Sequence, residues 1–183
     1  THQEVSDLSV MRAMPNMTVL SPADAVEVRA AMIAANDSDG PVYIRLTRDP
    51  ETVVFPVDYT FEIGRAIVVR EGSDVTIFST GAQTVRCLQA ADLLAKGGVS
   101  AHVVHVPTIK PLDAEAIAES AARTGRVVTA EDHTIIGGLG GAVAEALGER
   151  QPTPMRRVGI RDTFGESAAN EDLLEKYGIT AEH

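Results

Sequence analysis

Residues 17–47 read MTVLSPADAVEVRAAMIAANDSDGPVYIRLT, and their pattern decides the fold class. Met17–Ser21 is a short strand bounded by a turn signal. Ser21-Pro22-Ala23-Asp24 is a helix start. Ser21 is the expected cap, Pro22 fits a first turn that has no use for its missing N–H, and Asp24 suits the positive end of the helix dipole. Val28, Met32 and Ala35 then recur on one face until Asp37-Ser38-Asp39-Gly40-Pro41 breaks the helix. Val42–Thr47 is the next strand. Strand, helix, strand predicts a βαβ unit with parallel strands.

Before this unit, Val5, Leu8 and Met11 follow the helical period, so residues 3–14 are expected to be a helix ended by Pro15. After it, residues 48–61 hold Pro50 and Pro56 and no sustained period, which predicts a linker and a boundary near residue 58. A second α/β unit follows. Strands are expected at 63–69 and 75–80 around a hairpin-like turn, Glu71-Gly72-Ser73-Asp74, making the first strand antiparallel to the rest. Helices at about 82–96, 114–124, 142–147 and 170–177 alternate with strands at 101–106, 126–130 and 155–160, and Pro107–Pro111 reads as a loop. The expected architecture is α/β: residues 58–183 form a three-layer α/β/α domain with a mixed, mainly parallel sheet, and residues 1–57 form a smaller βαβ piece.

Composition narrows the function. Of the 183 residues 44% are apolar but only 4% aromatic, so the core must be built from Val, Ile, Leu and Ala. The net charge of −10 argues against nucleic acid and anionic membranes as partners, although local arginines can still bind a phosphorylated substrate. Cys87 is the only cysteine, which permits no internal disulfide and suits a cytoplasmic protein. No apolar run approaches the roughly 18 residues of a membrane span. The opening Thr1-His2-Gln3, without an initiator methionine, predicts a piece of a longer polypeptide.

Several residues are candidates for chemistry. His2 can offer imidazole donors to an anionic or hydroxylated ligand, or can be an exposed histidine near a chain end. Arg45 and Arg48 lie on or just after the strand Val42–Thr47, and ligands of open parallel sheets bind beyond the carboxyl ends of strands. A guanidinium there can grip phosphate with two donors, or pair with Asp49 or Glu51. Glu131-Asp132-His133 resembles an acid/base cluster, but without a second histidine at helical spacing a structural or interface role is favoured. Gly137-Gly138-Leu139-Gly140-Gly141 precedes a helix and could cradle phosphate, yet Val143 stands where a dinucleotide fingerprint needs its third glycine, which favours close helix–sheet packing. His102 and His105 are three apart on a strand and face opposite sides. Cys87, in an amphipathic helix, is expected to be inert core.

Taken together, the motifs resemble the transketolase family of thiamine-diphosphate enzymes. Thr1-His2-Gln3, Met11–Met17 (MRAMPNM) and Ser21–Asp24 (SPAD) followed by Glu27 carry the resemblance first. It continues through Gly40–Arg48 (GPVYIRLTR), Val75–Gly81 (VTIFSTG), Thr108–Asp113 (TIKPLD), Glu131–Glu145 (EDHTIIGGLGGAVAE) and Asp162–Ala168 (DTFGESA). It covers essentially the whole chain and is similar above all to the C-terminal subunit of split transketolases.

The resemblance implies that residues 1–57 are the end of a pyrimidine-binding domain and 58–183 a transketolase C-terminal domain. His2 matches the family histidine facing the donor sugar, and Arg48 the arginine gripping a substrate phosphate. The implied reaction is two-carbon ketol transfer between phosphorylated sugars of the pentose phosphate pathway, with thiamine diphosphate and Mg²⁺ as cofactors of the intact enzyme. The glutamate that activates the cofactor and the diphosphate and Mg²⁺ sites belong elsewhere in the family pattern. This piece alone is therefore expected to bind no cofactor and to be inactive, with an N-terminal subunit or domain as partner and a homodimer as the assembly. Two other readings remain open: part of a 1-deoxy-D-xylulose-5-phosphate synthase, and a non-catalytic dimerisation or regulatory module. Arg45-Leu46-Thr47-Arg48-Asp49 lacks the Pro and Gly of the synthase pattern, which favours transketolase.

Overall fold

The computed structural model describes residues 4–48 and 51–183. The chain runs α1 (Asp7–Ala13), β1 (Thr18–Leu20), α2 (Ala25–Asn36), β2 (Val42–Ile44), β3 (Ile67–Arg70), β4 (Val75–Ser79), α3 (Gln83–Lys96), β5 (Ala101–His105), β6 (Thr108–Lys110), α4 (Ala114–Thr124), β7 (Val127–Thr134), α5 (Leu139–Arg150), β8 (Met155–Ile160) and α6 (Asn170–Lys176). The α/β alternation read from the sequence holds except where strands follow one another, at β2–β4 and β5–β6. Among the described residues no helix is long and apolar enough to cross a membrane.

The larger sheet has five strands in the order β3-β5-β4-β7-β8. Only β3 is antiparallel, as expected. It does not, however, form a hairpin with β4: β5 lies between them. The turn at 71–74 instead crosses the start of β5, where Ser73 and Asp74 amides donate to the Ser100 carbonyl. Gly72 is required there, since a Cβ would lie 2.2 Å from the Ala101 carbonyl carbon. Successive residues of the sheet point to opposite faces. Ile77, Val103 and Ala130 meet Cys87 and Ala91 of α3, while Phe78, Val104 and Val127 meet Ile117 of α4 and Leu139 and Val143 of α5. Three layers result.

The smaller sheet is β2-β1-β6. β1 and β2 are parallel around α2, as the βαβ reading requires. Its third strand, β6, falls where the sequence reads as loop because prolines flank it. β6 pairs antiparallel with β1, so the later part of the chain supplies an edge to the earlier sheet. Leu8 and Val19 share one buried cluster with Phe78, Ile109 and Val143, so the βαβ piece docks through a common core. The cap of α2 is Asp24, not Ser21: the helix begins at Ala25 and the Asp24 side chain accepts from the Glu27 amide. The same carboxylate accepts from the amides of Val54 and Phe55, which pins the expected linker onto the start of α2. Asp113 caps α4 as read.

Candidate functional site

β2 leaves the small sheet at Ile44, and the chain continues through Arg45 and Arg48 into a cleft of about 390 Å³ between the two parts of the chain. Among the described residues Glu4, Arg45, Arg48, Glu51, Arg86 and Asp132 are the charged groups lining it. They have different environments, and those differences separate structural arginines from one available for a ligand.

Arg45 is a clamp. Its Nε donates to Asp7 at 3.2 Å, one terminal nitrogen to the Asp132 carboxylate at 2.8 Å, and the other to the Asp132 carbonyl at 3.1 Å. Burial works against its charge, but Asp132 and Asp7 outweigh it and hold the guanidinium above its ordinary pKa. Asp7 also accepts from the Tyr43 hydroxyl at 2.7 Å, and burial followed by that bond pushes the phenol up to about 12. Arg45 thus joins α1, β2 and β7, with partners other than the Asp49 or Glu51 weighed from sequence. Glu51 pairs with Arg86 of α3 instead, at 3.4 Å, and each side chain is 14% exposed. Arg86 also donates to the Ala82 carbonyl. The Glu4 carboxylate is turned onto the Ser6 hydroxyl and amide, which lower its pKa. Arg48 remains: it is exposed and makes no hydrogen bond or ion pair among the described residues. His2, and the Asp49 weighed as a partner of Arg48, lie outside the described residues, while Glu4 and Val5 line the cleft.

The other candidates are absorbed by the fold. Glu131 is fully buried, and its carboxylate accepts from the amides of Leu139 and Gly140 at 2.7 and 2.9 Å. It caps α5, so the glycine-rich turn has its leading amides occupied and offers no cradle for phosphate. The glycines answer close packing: a Cβ on Gly138 would lie 2.0 Å from a Glu131 oxygen. His133 accepts from the Leu8 amide and holds α1 to the end of β7. β7 extends to Thr134, which places Glu131, Asp132 and His133 on the strand rather than after it. His102 and His105 do not meet a common ligand: His102 lies 3.5 Å from Glu71, whereas His105 reaches Glu27 and Thr84. Burial pushes the Cys87 thiol up to about 12. Among the described residues no group of three His, Cys, Asp or Glu side chains could hold a metal ion.

Arg86 escaped the sequence reading because it sits within an amphipathic helix and no local pattern connects it to Glu51. The buried Glu27–His105 pair escaped for the same reason, since its partners are 78 positions apart.

The family model for the transketolase C-terminal domain matches residues 64–183, and that for the transketolase pyrimidine-binding domain matches residues 1–50. The 6-deoxy-6-sulfo-D-fructose transketolase subunit SqwH of Clostridium sp. (strain MSTE9) is 49% identical over 181 residues, 99% of this chain and 56% of that protein. A solved structure described as "Split gene transketolase, inactive beta4 tetramer" superposes with a TM-score of 0.96 at 51% identity, over 99% of this chain and 59% of that one. The 1-deoxy-D-xylulose-5-phosphate synthase of Desulforudis audaxviator (strain MP104C) is 37% identical over 192 residues, all of this chain but 29% of that protein. The chain spans little more than half the length of the split-transketolase relatives it matches. From these matches and the docked arrangement of its two parts, the chain belongs to the transketolase family, carrying its C-terminal domain and part of its pyrimidine-binding domain, and it is similar to split transketolase subunits.

Proposed function

We propose that this chain is part of a transketolase that transfers a two-carbon ketol unit between sugars bearing a terminal anionic group, phosphate or sulfonate, with thiamine diphosphate and Mg²⁺ in the assembled enzyme. The observation that carries the reading is Arg48: an exposed guanidinium at the carboxyl end of a parallel strand, in a cleft, with no carboxylate partner among the described residues. Such a group is suited to two-pronged, charge-assisted contact with an oxyanion. Arg45 holds the end of β2 in place through Asp7 and Asp132, three residues before Arg48. In this reading residues 1–57 complete a pyrimidine-binding domain and 58–183 form the C-terminal domain. His2, two residues before cleft-lining Glu4, orients the oxygens of the donor sugar.

The described residues do not fit a Mg²⁺-diphosphate site: they hold no suitable acidic cluster, and the amides at the start of α5 are taken by Glu131. When bound, the cofactor supplies the carbanion chemistry of ketol transfer. The residues here bind and orient the sugar. An N-terminal subunit is the expected partner for the remainder, and the word "inactive" in the description of the similar tetramer is in keeping with that division.

The test is reconstitution of the full-length protein with its N-terminal subunit, thiamine diphosphate and Mg²⁺. Ketol transfer from a ketose phosphate or sulfonate is expected from the mixture and not from either subunit alone. Pyruvate serving as the donor would replace this reading with the deoxyxylulose-phosphate synthase reaction. In the same assay His2→Ala is expected to lower kcat with cofactor affinity unchanged. Arg48→Ala is expected to raise KM for anionic substrates about ten- to a hundredfold, in line with a charge-assisted bond of roughly 1.5–3 kcal/mol.

A further inference from the structure

We propose that Glu51, held on Arg86, makes the cleft select a singly charged terminal oxyanion over a doubly charged one. The proposal rests on the reading of Arg48 as an anion-binding group and goes beyond it by naming the charge of the group bound.

Charge matching in the cleft carries the argument. The described lining contains three guanidiniums, Arg45, Arg48 and Arg86, and three carboxylates, Glu4, Glu51 and Asp132. Asp7, behind Arg45, adds a fourth carboxylate. Arg45 is matched by Asp7 and Asp132, and Arg86 by Glu51. One guanidinium is left for a ligand. A tetrahedral oxyanion with one negative charge, a sulfonate or a singly protonated phosphate, matches it. A phosphate monoester at neutral pH carries about −1.5 to −2 charges and brings an excess into a cleft whose described carboxylates, Asp7 included, already outnumber its guanidiniums four to three. Glu51 is the group on which selection turns. It is 14% exposed, so its charge is weakly screened, and its contact with Arg86 is long at 3.4 Å. Among the described residues Arg86 has one other bond, to a backbone carbonyl. Neutralising Glu51 releases a second guanidinium facing the cleft, and the site then offers two positive charges to a dianion.

The experiment is a titration of the full-length protein with methanesulfonate, a monoanion, and with methylphosphonate in alkaline buffer, where it is a dianion. Binding is read from the arginine Nε–Hε resonances, without reference to catalysis. The wild-type protein is expected to bind methanesulfonate more tightly. Glu51→Gln is expected to shift the ratio of the two affinities about tenfold toward methylphosphonate, and Glu51→Asp, which keeps the charge, to leave it near the wild-type value. A wild-type preference for the dianion, or an unchanged ratio in Glu51→Gln, overturns the proposal. Arg48→Ala distinguishes the two levels of the argument. Loss of binding for both anions in that variant upholds the cleft as an anion site whatever Glu51 does, and undiminished binding removes the underlying reading as well. Repeating the methylphosphonate titration at lower pH, where it becomes a monoanion, is expected to restore its binding to the wild-type protein. No gain there also overturns the charge rule.

Discussion

Glu27 Oε2 and His105 Nε2 lie 2.7 Å apart, and neither side chain has any exposed surface. Glu27 belongs to α2 and His105 to the end of β5, so this bond ties the βαβ piece to the larger sheet. The same glutamate accepts from the Ala23 amide and the Tyr59 hydroxyl, and His105 continues through Thr84 to Ser79. Every strong donor around the carboxylate is satisfied by it, and removing it leaves them buried without partners.

Glu27→Ala is therefore expected to destabilise the chain by about 1–3 kcal/mol or more, the cost of leaving buried donors without their acceptor. Urea unfolding of the variant and of Glu27→Gln checks this, with the amide expected to cost less because it keeps an acceptor.

Arg45 and Arg48 are expected to part ways in the same measurement. Arg45→Ala strands Asp7 and Asp132 in a largely buried setting and should cost about 3–5 kcal/mol. Arg48→Ala removes an exposed side chain and should change stability by less than about 0.5 kcal/mol. Equal losses would contradict the division between a clamp and a ligand-binding group.

Two glycines at or within α5 predict opposite signs. A methyl on Gly138 meets a Glu131 oxygen at 2.0 Å and the His133 ring at 2.6 Å, so Gly138→Ala is expected to lower stability by about 1–3 kcal/mol or more. Gly148 has open space around its would-be Cβ in the same helix, and Gly148→Ala should raise stability by about 0.5–1 kcal/mol. Thermal unfolding of both variants reads the two directions.

Cys87 is buried, with its thiol pushed up to about 12 by burial from an ordinary value of 9.0. A thiol raised on folding stays protonated over a wider range in the folded chain. Its contribution to stability is complete below the ordinary thiol value and is lost as pH rises toward about 12. Iodoacetamide at pH 8 should leave the folded protein unmodified and label it fully in denaturant. Cys87→Ala should flatten the alkaline part of the stability profile.

The sequence disclosed what depends on local pattern. The alternation of helices and strands, the antiparallel first strand and the Asp113 cap were all legible in residue order. What failed depended on distant partners. Thr108–Lys110 reads as loop between two prolines, and becomes a strand because β1 offers it an edge. The turn at Gly72 reads as a hairpin until β5 is seen to intervene. Asp24 takes the cap from Ser21 because the Val54 and Phe55 amides also converge on it. In the cleft, Arg48 was legible from its place at a strand end. Arg86 was not, since Glu51 meets it only after the chain has passed through two strands and begun a helix.

β6 has a consequence for how such proteins can be recombined. A three-stranded sheet that borrows its edge from a later segment is not a transferable module, because its boundary in space differs from any boundary along the chain. A chimera joined near residue 58 brings a foreign β6 against the resident β1, and a foreign residue opposite Glu27 where His105 stands. Grafts between relatives should succeed when these two contacts travel together with the graft, even where overall identity is low, and fail when they are separated across the junction.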